Sequence, residues 1–218
     1  MVVDLRDRAR VMDGERTDEE LLAAFQQGDA GAFERLLRRH RAPLYTFLLR
    51  MLGDREQAED LAQETFVRVI KGAAAWEHRA RFQTWLYAIA RNLCVDRARR
   101  DKFRRMDSAD APLDEDGPTI LDRAASDAPG PDRAVESERL RPLLARALLA
   151  LPAEQREVFI LREQAGLPFK EIATLVGANE NTVKSRMRYA LEGLRKALEA
   201  AGVSPDPARP AGARMGRA

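Results

Sequence analysis

At 218 residues the chain has room for one ordinary domain or two small ones, and its 45% apolar content suits a globular protein. Ala, Leu, Glu and Arg dominate, only 6% is aromatic and no β-branched run is long, so the composition favours helix throughout. A formal net charge of +2 carries no information about partners; the placement of the charges does.

Cys94 is the only cysteine, which excludes an intramolecular disulfide and any CxxC metal site and leaves a small buried apolar residue as its reading. His40 and His78 are too few and too far apart for a zinc site, so no metal and no cofactor are expected. No apolar stretch approaches the ~20 residues of a membrane span. Residues 1–16 are charged and lack the apolar centre of a signal peptide, and the expectation is a cytoplasmic protein without membrane insertion.

Five segments separate by composition. Residues 1–16 read as an N-terminal tail. Residues 17–101 read as a first helical domain, opened by Thr17 followed by Asp18, Glu19 and Glu20, an N-cap with an acidic first turn. Leu21, Leu22 and Phe25 supply the apolar face of that first helix, and Gly28-Asp29 breaks it. Phe33, Leu36 and Leu37 start the next, and Pro43 opens or kinks a helix carrying Leu44, Phe47, Leu48 and Met51. After Gly53-Asp54, the residues Ala58, Leu61, Ala62, Thr65, Phe66, Val69 and Ile70 repeat the apolar stripe as far as Gly72. An irregular stretch from Trp76 to Phe82 precedes a last helix with Trp85, Leu86, Ile89, Leu93 and Cys94.

Residues 102–138 read as a flexible acidic linker. Asp107, Asp110, Asp114, Glu115, Asp116, Asp122 and Asp127 are among its acids, and Pro112, Pro118, Pro129 and Pro131 interrupt it. The Asp114-Glu115-Asp116 run is solvated charge in such a setting and not a metal site. Residues 139–199 are helical again: a helix with Leu144, Leu148 and Leu151 stopped by Pro152, a second with Val158 to Leu161, a short third with Phe169, Ile172, Ala173 and Val176, then Gly177 and a long fourth. Residues 200–218, with Pro205, Pro207 and Pro210, read as a disordered tail. The expected fold is all-α, two small helical domains on an acidic tether.

A short helix, a turn holding Gly177 and a longer helix with basic exposed positions read as helix-turn-helix. Gly177 suits a turn that needs positive φ, and Ala173 suits two helices that cross closely. At about 100° per residue, Val183, Met187, Ala190, Leu191 and Leu194 fall on the buried side of the last helix. Asn181, Ser185, Arg188 and Tyr189 fall opposite, flanked by Lys184 and Arg186, and these are side chains that reach base edges and phosphates. An ordinary amphipathic helix with a solvated basic face has the same pattern.

A second signal lies at the end of the first domain, where Arg97, Arg99, Arg100, Lys102, Arg104 and Arg105 are opposed only by Asp101. Upstream of it Trp76, Phe82, Trp85 and Tyr87 interleave with Arg79, Arg81 and Arg91, a mixture suited to stacking unpaired bases. Trp85 and Tyr87 fit a core equally well.

The segment Ala58-Glu59-Asp60-Leu61-Ala62-Gln63-Glu64-Thr65-Phe66 resembles the most recognisable stretch of a sigma-2 domain. So does Thr84-Trp85-Leu86-Tyr87-Ala88-Ile89-Ala90-Arg91-Asn92, with Asp96 and the arginines after it. Leu151-Pro152-Ala153-Glu154-Gln155-Arg156-Glu157-Val158-Phe159, Glu171-Ile172-Ala173 and Thr182-Val183-Lys184-Ser185-Arg186 resemble sigma-4. Several motifs in this order resemble the extracytoplasmic-function (ECF) group of sigma-70 factors. The resemblance implies a sigma-2 helical bundle and a sigma-4 helix-turn-helix, and an initiation factor that binds core RNA polymerase. Glu59, Asp60, Gln63, Glu64 and Arg68 would face the polymerase. Trp76, Arg79, Arg81, Phe82, Trp85, Arg91, Asn92, Asp96, Arg97, Arg99 and Arg100 would capture and melt the −10 element. Asn181, Thr182, Lys184, Ser185, Arg186, Arg188 and Tyr189 would read the double-stranded −35 element. It also implies an anti-sigma factor as a further partner, which could hold the chain near the membrane. Many relatives continue the recognition helix with basic residues where this chain has Tyr189 and Leu191, which leaves the −35 sequence open.

Two other classes compete. A simple repressor or activator needs only the helix-turn-helix, with a dimer interface or ligand pocket beside it, and leaves the polar Glu59, Asp60, Gln63 and Glu64 face without a role. An enzyme such as a nuclease needs convergent acids or a nucleophile–base pair, and the sequence contains no P-loop, His pair or GxSxG. The expectation is a protein without catalysis and without a small-molecule substrate.

Overall fold

The computed structural model describes residues 16–77, 80–107 and 131–203. Every regular element among them is an α-helix. The first unit holds α1 (Asp18–Gln26), α2 (Ala30–Leu52), α3 (Arg55–Ala73) and α4 (Phe82–Asp107). The second holds α5 (Pro131–Ala150), α6 (Ala153–Glu163), α7 (Phe169–Val176) and α8 (Glu180–Ala200).

Local chemistry sets the helix starts. Thr17 forms a complete capping box: its hydroxyl accepts from the Glu20 N–H at 3.2 Å, and the Glu20 carboxylate accepts from the Thr17 N–H at 2.7 Å. Asp29 and Asp54 accept from the N–H groups of Ala32 and Gln57 in the same way and open α2 and α3. Gly53 ends α2 in the left-handed conformation at φ 73°, where a side chain is strained. Helix α2 is a single element with Pro43 inside it, so of the two expectations for Pro43, opening a helix or kinking one, the first is overturned. A proline removes one backbone donor, and here the leucines and Phe47 buried on both sides of it outweigh that loss.

The polar residues of α1 tie the first unit together. Asp18 meets His40 at 2.6 Å and Arg39 at 3.0 Å on α2. The Gln26 amide donates to the carbonyls of Ala73 and Trp76, closing the end of α3. The core between these helices is formed by Leu21, Leu22, Leu36, Leu44, Phe47, Leu48, Val69, Phe82, Leu86, Tyr87 and Leu93, all essentially inaccessible. Each such side chain contributes roughly 1.5–3 kcal/mol by leaving water.

In the second unit α6, α7 and α8 pack on one another, and α5 lies along α8. Gly177 separates α7 from α8 at φ 67°, as a turn of this kind requires. Asn179 caps α8 by accepting from the Thr182 N–H at 2.8 Å. Gly193 in α8 lets Leu151 approach so closely that a Cβ there would lie 2.6 Å from its Cδ2.

Helix extends into both ends of the expected linker, since α4 reaches Asp107 and α5 begins at Pro131. The acidic centre of that segment, the tail before Arg16 and the tail after Val203 lie outside the described residues. No helix among the described residues is long and apolar enough to cross a membrane.

Candidate nucleic-acid and partner interfaces

Val183, Met187, Ala190 and Leu194 anchor α8 in the second unit. Asn181, Lys184, Ser185, Arg188 and Tyr189 are exposed on its outer side, with Thr182 and Arg186 half-buried at its edges. Several of the charges are held in place. Lys184 pairs with Glu180 at 2.7 Å, and Arg186 pairs with Glu154 on α6. The Arg188 guanidinium lies over the Tyr189 ring, 4.9 Å from its centroid, which presents cation and ring side by side at the surface. Leu191 is a correction: expected on the buried side, it is 49% exposed and extends the outer face beyond Tyr189.

On α4 the exposed polar residues Asn92, Asp96, Arg99 and Arg100 recur at helical spacing and form one stripe. Arg97 is half-buried beside Asp101 at 3.5 Å. The aromatic residues upstream behave differently. Phe82 is fully buried and Trp76 is 8% exposed, so both belong to the core, and the sequence-based assignment of these two rings to base capture gives way to packing. Trp85 lies 6.2 Å from each of them, half-buried, on a floor provided by Gly72. Tyr87 is core as well: it meets Phe47 edge-on at 5.0 Å, and burial pushes its phenol well above the usual range. Alternating aromatic and basic residues look alike whether the rings face bases or one another. Arg79 lies outside the described residues, and Arg81 is half-buried.

Arg91 is engaged by the second unit. Its Nε donates to Oε1 of Glu157 on α6 at 2.6 Å, with both side chains mostly shielded from solvent. Two neighbours on α4 do the same: Thr84 bonds the carboxylate of Glu171 on α7, and Gln83 donates to the carbonyl of Ala165 at 2.8 Å.

A third face lies on α3. Glu59, Asp60, Gln63 and Arg68 are exposed and Glu64 is half-buried. Arg68 donates to Glu64 at 2.8 Å and holds that carboxyl below its usual range. Val67 and Ile70 are 40% and 48% exposed, which corrects the expectation that Ile70 completes the core stripe. They continue the line of Gln63 at helical spacing, giving a polar strip an apolar end. Sequence reading missed Val67; its place on the helical wheel beside Gln63 was the available signal.

Among the described residues no group of three metal-ligating side chains converges. The geometry is that of a two-module nucleic-acid-binding protein, a helix-turn-helix beside a helical unit with its own polar stripe.

Comparison with known proteins narrows the class. Residues 36–104 match the family model for sigma-70 region 2, and residues 141–194 match that for sigma-70 region 4. The RNA polymerase sigma-H factor of Pseudomonas aeruginosa is 31% identical over 186 residues, covering 84% of this chain and 94% of that protein. The ECF RNA polymerase sigma factor SigW of Bacillus subtilis is 34% identical over 173 residues, 79% and 92% of the two chains. SigM of Mycobacterium tuberculosis is 34% identical over 184 residues, 84% and 86% of the two chains. Two solved structures share the fold. RpoE of Bartonella quintana, in complex with the anti-sigma factor NepR, has a TM-score of 0.59 at 23% identity, covering 77% of this chain and 96% of that one. CnrH, in complex with the cytosolic domain of CnrY, has a TM-score of 0.58 at 23% identity, covering 84% and 97%. The chain belongs to the ECF group of the sigma-70 family.

Proposed function

We propose that the chain recruits core RNA polymerase to a defined set of promoters by reading two DNA elements with two separate modules. The observation that carries this reading is the split of α8 into a buried side, Val183, Met187, Ala190 and Leu194, and an outer side of Asn181, Ser185, Arg188 and Tyr189. That outer side enters the major groove of the −35 element, with Thr182, Lys184 and Arg186 contacting the backbone. The stripe of Asn92, Asp96, Arg99 and Arg100, with Arg81, Arg91 and Arg97 at its margins and Trp85 as the remaining stacking ring, holds the −10 element. Capture of an unstacked base there stabilises the melted strand.

The α3 strip, Glu59, Asp60, Gln63, Glu64 and Arg68 with the apolar end at Val67 and Ile70, docks the polymerase. Each module alone binds DNA weakly, and the polymerase adds the two contributions by fixing their separation. Residues 17–101 and 139–199 are the two working domains and residues 102–138 the acidic tether between them. Residues 1–16 and 200–218 are tails. The protein acts by binding and contributes no catalytic group. It works in the cytoplasm with an anti-sigma factor as a further partner, a reading supported by the Bartonella protein's complex with the anti-sigma factor NepR.

In vitro transcription tests this reading. Sigma-free core polymerase, fragmented genomic DNA and the full chain should give transcripts from discrete start sites that vanish when the chain is omitted. Absence of both transcripts and core binding would leave a helix-turn-helix regulator as the better reading.

A further inference from the structure

Helix α1 lies outside the stretch that matches the region 2 model, which begins at residue 36, and it carries none of the residues assigned to promoter or polymerase. Leu21 and Leu22 put it into the core, and burial alone would account for its presence. Its polar side chains have a narrower target.

Gln26, the last residue of α1, donates from its amide nitrogen to the carbonyls of Ala73 at 2.8 Å and Trp76 at 3.0 Å. The turn between those two is tight, with the Trp76 N–H donating to the Ala73 carbonyl at 3.1 Å. At the other end of α1, Glu19 accepts from the Phe82 N–H at 2.8 Å. Beside it Asp18 meets His40 at 2.6 Å, and the His40 ring lies edge-on to Phe82 with centroids 5.2 Å apart.

Trp76 and Phe82 are the two core rings against which Trp85 rests, 6.2 Å from each, with Gly72 beneath it. Both ends of α1 therefore act on the backbone of residues that touch the same ring. Bonds that served only to satisfy helix ends would have no reason to converge in this way. A stacking ring that is already in place does not have to be ordered when a base arrives, and hydrogen bonds behind it are what hold such a ring within a fraction of an ångström.

We propose that α1 is a positioning element for base capture: Gln26 and Glu19 hold the backbone at Trp76 and Phe82, and so set Trp85 in place before the −10 strand reaches it. The inference rests on the proposed stacking role of Trp85. Gln26 and Glu19 are positioning residues that act through the two core rings.

The test uses the full chain, assembled with core polymerase, on a promoter mapped by its transcripts. Gln26→Met keeps the length of the side chain and removes the donor. It should weaken binding of the single-stranded −10 oligonucleotide about tenfold and leave affinity for the −35 duplex at the parent level. Glu19→Gln keeps an acceptor oxygen and should behave as the parent. Asp54→Ala removes the cap that opens α3, away from the ring cluster, and should cost stability without affecting the −10 strand. Trp76 and Trp85 are the only tryptophans, so 5-fluorotryptophan gives two fluorine resonances, which Trp76→Phe assigns. The Trp85 resonance should move in Gln26→Met and stay in Asp54→Ala.

Parental strand binding and an unmoved Trp85 resonance in Gln26→Met would overturn the inference. So would a binding loss no larger than that of Asp54→Ala, which would reduce Gln26 to a stabilising cap. Trp85→Ala separates the two levels. A defect there with a parental Gln26→Met overturns the positioning role alone, whereas parental strand binding in Trp85→Ala removes the ring from base capture and overturns both.

Discussion

The backbone N–H of Phe82 donates to Oε1 of Glu19 at 2.8 Å, so a side chain of the first helix caps the start of the fourth. A helix N-terminus leaves its first donors unsatisfied, and a carboxylate there gains from both the hydrogen bond and the helix dipole. Glu19→Ala should lower the stability of the first unit by ~1 kcal/mol, read as a fall of about 4–8 °C in Tm. An unchanged melting curve would show that solvent replaces the cap without loss.

Arg188 and Lys184 should separate specificity from affinity. Arg188→Ala should cost ~1–3 kcal/mol of discrimination between the cognate −35 element and a scrambled one, measured with assembled polymerase. Lys184→Ala should weaken both duplexes alike and flatten the salt dependence of binding. Equal losses on both duplexes in the Arg188 variant would remove it from base reading.

Asn92 is exposed on the outer stripe of α4. Asn92→Ala should leave closed-complex formation near the parent level and reduce open complexes about tenfold, scored by permanganate reactivity of unpaired thymines. Equal defects in both steps would count against a role in melting.

On α3, Asp60→Arg should reduce core polymerase affinity at least about tenfold through like-charge or mismatched contact. Ile70→Ser should reduce it too, while changing unfolding free energy by no more than ~0.5 kcal/mol, because the side chain is already half in water. Unaltered core binding in both variants would move the docking face elsewhere.

Cys94 should resist alkylation in the native protein. Its thiol is held in the neutral form by burial, so the thiolate that reacts is scarce through neutral pH and becomes available only as pH approaches about 12. Iodoacetamide should therefore label it at pH 8 only after denaturant is added. Rapid native labelling would indicate that α4 opens locally.

The helices and their ends were largely legible in the sequence, because caps and breakers act locally. Thr17 with Glu20, Asp29, Asp54 and Gly177 all do what their residue types suggest. The periodic stripes named most of the core. Misreadings arose where a pattern has two physical solutions. Trp76 and Phe82 alternate with arginines but pack on Trp85, and Ile70 and Leu191 keep the apolar spacing while facing outward. Pro43 marks a missing donor, and sequence alone does not weigh that against the burial of Leu44, Phe47 and Leu48. The bonds between the units were beyond reach, because Arg91 and Glu157 are 66 positions apart and neither belongs to a periodic pattern that names the other.

Gly53 joins two properties that are usually independent. It terminates α2 in a backbone state that only glycine adopts without strain, and its bare Cα is the surface on which Leu149 of the other unit rests. Mutational change at this position therefore disturbs the end of α2 and the contact with Leu149 together. Leu149 is the adjustable partner: trimming its side chain opens room at Gly53 without touching the backbone that ends α2.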